Sequence, residues 1–481
     1  MAHKYDVVVI GAGPAGIFST LEVTSHSDLS VLVLEKGKDI EQRACPMKAH
    51  GVGCTYCSPC DLVSGWGGAG AFSDGKLTLS PEVGGHLTDY IGDPLTHELI
   101  RYADEVYVRF GASSRVYGTG DGVEAIKSRA AQADLKLIPV PIRHIGTEHC
   151  LEVSKALRDF LRDRAELRLN ASAARVLVEN GRVKGVLTSQ GEEVLCDYLV
   201  IAPGREGADW LAREASRLGL RLTQNAVDLG VRVELPAAVM EDLTSVLYES
   251  KLEYFSKSFD DRVRTFCMCP FGEVTQEVTA GEDPVISVNG HSYADRKTDN
   301  TNFALLVSTT FTEPFKEPIA YGRYIARLAN LLGGGVLVQR LGDLLQGHRS
   351  TPARLARGVV EPTLKEATPG DLSFVLPYRH LKNILEMLTA LDRLAPGVAS
   401  RHTLLYGVEV KFYSSSLELT PDLETGINNM FTPGDGAGVT RGLIQSSASG
   451  VVVAREILRR AAAASPLKPR LRPTMARAER G

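Results

Sequence analysis

A glycine triplet set between a strand and a helix constrains this chain more than any other feature. Gly11-Ala-Gly13-Pro14-Ala15-Gly16 directly follows the β-branched run Val7–Ile10. Helical periodicity begins at Pro14 and fades near His26, and a second apolar run, Ser30–Leu34, ends at Glu35. Unbroken apolar runs of this kind belong to parallel strands covered on both faces. The order strand, glycine turn, helix, strand, acid is the frame of a dinucleotide site. Gly11 makes the tight turn, Gly13 lets backbone approach a pyrophosphate, and Gly16 permits close helix–strand packing. Pro14 and Ala15 open the helix, whose free N–H groups face the anion. Glu35 can accept hydrogen bonds from both ribose hydroxyls, and its charge disfavours a 2′-phosphate. Lys36 and Arg43, just beyond it, join it as cofactor-binding candidates.

Distant segments choose between the dinucleotides. Asn429-Met-Phe-Thr-Pro-Gly434-Asp435-Gly-Ala-Gly438 ends a strand and precedes a long helical stretch, Gly442–Arg460. It resembles the second FAD motif of the glutathione-reductase-like flavoproteins. That resemblance implies that Asp435 binds the ribityl chain, with Gly434, Arg441, Gly442 and Leu443 beside it. Tyr198-Leu-Val-Ile-Ala-Pro-Gly204-Arg similarly resembles the central strand–turn of that superfamily. A second triplet with an acidic partner is missing, since Gly118-Thr-Gly120-Asp-Gly122 follows no buried strand and reads as a loop. No separate nicotinamide domain is therefore expected. Ser64-Gly-Trp66-Gly67-Gly68-Ala69-Gly70-Ala-Phe72-Ser73-Asp74-Gly-Lys76 reads as backbone running beside a flat ring, with Gly67, Gly68, Ala69, Gly70, Ser73 and Asp74 as cofactor contacts. The bland alternative is a surface loop, against which Trp66 and Phe72 argue.

That run, together with Cys54…Cys57…Cys60, His144-Ile-Gly-Thr, Thr265-Phe-Cys-Met-Cys-Pro270 and Val288-Asn-Gly-His-Ser-Tyr293, is similar to a family of uncharacterised FAD-dependent dehydrogenases of bacteria and archaea. The similarity covers residues 5–460 and implies an α/β fold. A Rossmann-like three-layer FAD-binding domain would carry a second, mainly antiparallel α+β substrate domain. The expected boundaries are 1–95, 166–222 and 401–460 for the FAD-binding segments, 96–165 for a helical segment and 223–400 for the substrate domain. Residues 461–481 read as a disordered basic tail.

Cys45, Cys54, Cys57 and Cys60 follow the pattern C-x8-C-x2-C-x2-C. Closely spaced thiolates of this kind reach one [4Fe–4S] cubane. Four thiolates could instead hold a structural zinc ion, a pair could be redox-active, or all could be inert. A cluster would feed single electrons to the flavin from a ferredoxin-like donor. Cys267 and Cys269, two residues apart, would share one face of a strand, either as reactive thiols or as small core side chains. His291 and Tyr293 would also share a face and could exchange a proton with substrate, unless His291 is simply a satisfied core histidine. Tyr378-Arg379-His380 and Lys411-Phe412-Tyr413 could hold a carboxylate or an aromatic ring, or be solvated strand ends.

A net charge of −4 over 481 residues does not favour nucleic acid or an anionic membrane as partner. The chain has no apolar stretch long enough to span a bilayer and no export signal at its start, so a cytoplasmic location is expected. The oligomeric state is not readable. The resulting expectation is an FAD-dependent oxidoreductase moving a hydride between flavin and a small unsaturated or carbonyl-conjugated substrate. The alternatives are an electron-transfer subunit for a protein partner and a flavoprotein acting on tRNA.

Overall fold

The computed structural model describes residues 3–46, 55, 57–223, 227–278, 284–309, 317–412 and 416–464. Strand His3–Ile10 lies between Val31–Leu34 and Glu193–Ile201 and runs parallel to both. Val7, Val8 and Val9 are fully buried, which explains the run without polar alternation. Met430–Phe431 adds a further parallel strand beside Glu193–Ile201, and Glu166–Arg168 adds another beside Val31–Leu34. Arg182–Thr188 and Ala173–Glu179 continue the sheet antiparallel. They are joined at Asn180 and Gly181, both at positive φ (50° and 72°), the turn that the Asn-Gly pair announces.

Helix Pro14–His26 packs along the last helix, Leu443–Ala464. The approach is so close that a Cβ on Gly450 would sit 2.2 Å from the Ala15 carbonyl oxygen. Five further helices run Asp93–Arg109, Thr147–Leu161, Ala208–Arg217, Pro318–Gly333 and Tyr378–Leu394.

The second unit is an eight-stranded sheet centred on Val227–Pro236, which pairs antiparallel with Asn300–Thr309 and with Leu404–Lys411. Here the boundary expected at residue 400 is corrected. Leu404–Lys411 is buried at every position and finds neighbours on both sides only in this sheet, between Val227–Pro236 and Leu337–Arg340. Helix Ala237–Leu247 lies in a region read as strands, although Met240, Leu243 and Leu247 are spaced to bury one helical face. The segment 96–165 is not purely helical. Val116–Tyr117 and Ile142–His144 join Lys76–Thr78 in a small sheet, and Lys136–Leu137 edges the large one. Gly120 caps helix Asp121–Gln132 at φ +88° rather than lying in a loop. Of the cysteine loop, Cys54 lies outside the described residues, as does the tail from 465.

Candidate functional site

Three glycine turns meet at the carboxyl ends of the parallel strands. Gly11 has φ +97°, and a Cβ there would lie 2.2 Å from the carbonyl oxygen of Ala202, in the turn ending the adjacent strand. A Cβ on Gly16 would lie 1.9 Å from the Gly11 carbonyl oxygen. Gly204 (φ +64°) and Gly434 (φ +88°) occupy the other two turns, and Gly436 abuts the Gly204 carbonyl. Helix Pro14–His26 begins with no side-chain cap at Gly13, so its first N–H groups keep no partner of that kind. The carboxyl edge of an open parallel sheet is where such folds take ligands.

Glu35 is buried, and its carboxylate is already shared. Its two oxygens accept the backbone N–H groups of Ala12 (2.9 Å), Gly37 (2.8 Å) and Gly65 (2.9 Å). Lys36 pairs with Glu206, and burial pulls its ammonium below the ordinary lysine range. Arg43 laces the glycine-rich segment from behind. It donates to the carbonyls of Asp61 (2.8 Å), Trp66 (2.5 Å) and Gly68 (2.8 Å), and burial brings it down to about 10. Gly67 N–H donates to the Ala12 carbonyl, and Gly68 lies against Gly13. The turn Gly68–Phe72, including exposed Ala69, therefore covers the dinucleotide turn, with Gly70 against Leu443. Trp66 is fully buried and donates to the Ser154 carbonyl, so it anchors this arch to helix Thr147–Leu161.

Asp435 is half-buried, and its desolvation raises the carboxyl despite Arg205 (3.7 Å) and a 2.9 Å hydrogen bond from Thr440. The Arg441 N–H donates to Gly84, and Gly442 (φ +123°) turns the chain into the last helix. Ser73 donates to the Gly70 carbonyl. Asp74 leaves the arch and points toward the second unit.

There it joins a buried cluster of which Cys267, Cys269, His291 and Lys411 stood out in the sequence and the remaining charges did not. Lys76 Nζ is 2.8 Å from Asp74, 3.5 Å from Cys269 Sγ and 3.8 Å from Cys267 Sγ, and it donates to the Met268 carbonyl. Burial opposes both charges of the Asp74–Lys76 pair, but their attraction wins: the carboxyl is lowered and the ammonium raised. Arg232, fully buried, holds Glu409 with two contacts near 3.0 Å, Asn302 at 2.7 Å and the Cys267 carbonyl at 2.6 Å. Lys411 bridges Glu409 and Glu277, each at 3.2 Å. Burial alone would raise Glu277, but Lys411, Arg205 and His291 hold it down to about 2. His291 acts electrostatically on both Asp74 and Glu277. Its neighbour Ser292 bridges Tyr248 and His144, and burial brings His144 down to about 4.

Tyr293 does not share this face. The strand ends at His291, and the Tyr293 hydroxyl donates to Glu273 (2.6 Å). Nor do Cys267 and Cys269 lie on a regular strand: a bulge interrupts pairing between Phe266 and Cys269, and Cys267 has φ +45°. Arg379 makes a bidentate pair with Asp261 at 2.6 Å, and His380 is buried beside it, so this group braces a helix start. Tyr413 lies outside the described residues. Cys45, Cys57 and Cys60 do not gather as a ligand set among the described residues. Reasoning from sequence missed Lys76, Arg232, Glu277 and Glu409. The available signal was charge inside otherwise apolar strands.

Residues 226–412 match the family model described as "FAD-dependent protein, C-terminal domain-like", which coincides with the antiparallel unit and covers less than half of the chain. A protein of Clostridium beijerinckii is 28% identical over 480 residues, spanning 94% of this chain and 80% of its own. Among solved structures, L-proline dehydrogenase from P. horikoshii shows 12% identity and a TM-score of 0.41, over 96% of this chain and 95% of its own. Glycine oxidase from Geobacillus kaustophilus shows 14% identity and a TM-score of 0.42, over 95% of each chain. At scores this low, nothing about those enzymes transfers to this chain.

Proposed function

We propose that the protein is an FAD-dependent oxidoreductase. One observation carries this reading: three glycine turns and an uncapped helix start converge at the carboxyl edge of a parallel sheet, beneath a glycine arch. The match of residues 226–412 to an FAD-dependent protein's domain supports it. The residues fit the group. The N–H groups of Ala15 and Gly16 would hold the pyrophosphate. A carboxylate offers about four lone-pair sites, and Glu35 has committed three to backbone. It therefore has room for one ribose hydroxyl, not the two expected from sequence. Asp435 would face the ribityl hydroxyls.

Bound FAD would supply hydride transfer, and the chain's own groups would handle the proton. His291, between Asp74 and Glu277, is the donor best placed by its charged neighbours. Lys411 and Arg205 would orient an electron-rich, carbonyl-bearing substrate, and Glu277 with Glu409 raises the Lys411 ammonium against burial. The test is the absorbance spectrum of purified protein, before and after reconstitution with FAD. A colourless protein that retains no flavin after reconstitution overturns the proposal.

For the cysteine loop, what supports an iron–sulfur centre is spacing alone, and no step is assigned to it. Anaerobic protein should contain iron and sulfide that are lost in Cys57→Ala; stoichiometric zinc without iron overturns this reading.

A further inference from the structure

We propose that Cys267 and Cys269 form a redox-active dithiol that closes to a disulfide by exchange with a small organic disulfide. The backbone is shaped for it. On a regular strand, residues i and i+2 stand about 6.6 Å apart, near the outer limit for a disulfide. Here the bulge and the left-handed Cys267 (φ +45°) fold the pair together, and both sulfurs and an Asp74 carboxylate oxygen lie within 4.8 Å of one another. Non-glycine residues in this backbone region concentrate at functional sites.

The charges around the pair assign the roles. Lys76 Nζ lies within 3.8 Å of both sulfurs, and Arg232 donates to Cys269 Sγ at 3.4 Å. Cys269 also donates its S–H toward an Asp74 oxygen at 3.8 Å. A hydrogen bond from Cys269, with Lys76 and Arg232, pulls the Cys267 thiol below its ordinary range, while burial pushes Cys269 up. Cys267 is partly exposed and Cys269 fully buried, so Cys267 is the attacking thiolate and Cys269 the resolving thiol. The same three donors suit a metal ion by spacing. The Lys76 ammonium, 2.8 Å from Asp74, already supplies the positive charge such an ion would bring.

The step balances without another reagent. The Cys267 thiolate attacks one sulfur of R–S–S–R, a protein–S–S–R bond forms, and RS⁻ leaves. Cys269 then attacks the Cys267 sulfur and expels the second sulfur, which leaves as RSH carrying the Cys269 proton. Two protein thiols are oxidised, one small disulfide is reduced to two thiols, and the two protons end on the products. Any link from this dithiol to a flavin rests on the proposed FAD function. The exchange itself does not.

The experiment equilibrates the full-length protein anaerobically with oxidised glutathione, quenches with acid, alkylates and measures peptide masses. The peptide carrying both cysteines should lose two mass units and become unreactive to alkylation. Cys269→Ser should instead trap one glutathione on Cys267, and Lys76→Met should slow Cys267 alkylation at neutral pH by about tenfold or more. Both cysteines remaining alkylatable in the wild-type protein overturns the proposal. So does protection that a chelator removes, which would mark a bound metal. Flavin absorbance, read on the same sample, reports independently on the FAD assignment.

Discussion

Replacing Arg232 by methionine removes the guanidinium from the centre of the buried cluster. Arg232 and Glu409 are both fully buried, and the pair is joined by two contacts of 3.1 and 3.0 Å. Breaking a buried ion pair by deleting one partner costs about 3–5 kcal/mol, because the survivor keeps an uncompensated charge. Glu409 would retain Lys411 at 3.2 Å, although Lys411 also serves Glu277. This residual pairing sets the expected loss near the lower end, about 3 kcal/mol. For a unit the size of 226–412, each kcal/mol moves Tm by about 2–4 °C, so the melting point should fall by about 6–12 °C. Calorimetry on the full chain at neutral pH measures it. The double replacement Arg232→Met with Glu409→Met should recover most of the loss, since no charge is then stranded. A single-variant loss below about 1 kcal/mol, or a double variant less stable than the single, would refute the reasoning.

Other perturbations follow from single contacts. Gly11→Ala forces a Cβ to within 2.2 Å of the Ala202 carbonyl in a left-handed backbone, so flavin retention after gel filtration should be lost. Gly450→Ala drives the two terminal helices apart and should cost about 1–3 kcal/mol in urea denaturation, more than Gly181→Ala, which meets open space. Buried His144 and His380 are both held down to about 4, so the unfolded chain binds protons first as pH falls below about 6.5. Stability from these two groups is complete above that pH and is lost toward about 4, with a slope of up to about 1.4 kcal/mol per pH unit for each. His380→Gln should flatten the Tm–pH curve in that window, and an unchanged curve would refute the assignment. Glu277, held down to about 2, stabilises above about 4.3 and loses that contribution only as pH falls toward about 2.

The dinucleotide frame was legible because it is local. Gly11, Gly16 and Glu35 act on backbone within one strand–helix–strand unit, and their spacing states the geometry. Asn180-Gly181 was legible for the same reason. Arg232 and Glu234 were visible as charges inside an apolar strand, as were Glu409 and Lys411. Which charge meets which depends on the order of strands in the sheet, and no local pattern encodes that order. Lys76 was hidden by its position at the end of a glycine-rich run, and its sulfur partners lie almost two hundred residues away. Trp66 argued rightly against a surface loop, but that its indole N–H would reach a carbonyl on another helix was not readable locally. Cys267 and Cys269 were read from strand periodicity, which a bulge suspends.

The pairing of Asp228 with Lys411 has a consequence for how the chain is made. The second unit begins and ends on neighbouring strands and, apart from the edge strand Lys136–Leu137 made earlier, is contiguous in sequence. As the chain leaves the ribosome, this unit has all of its strands once Lys411 emerges. The first unit has to wait. Its opening helix, Pro14–His26, packs on the last one, Leu443–Ala464, and Gly450 fixes how closely they meet. The nucleotide turn is thus synthesised before the second unit and completed after it. Until the C-terminal helix arrives, the apolar flank of the turn has no cover, and a chain stopped short of residue 443 would present that flank to solvent or to chaperones.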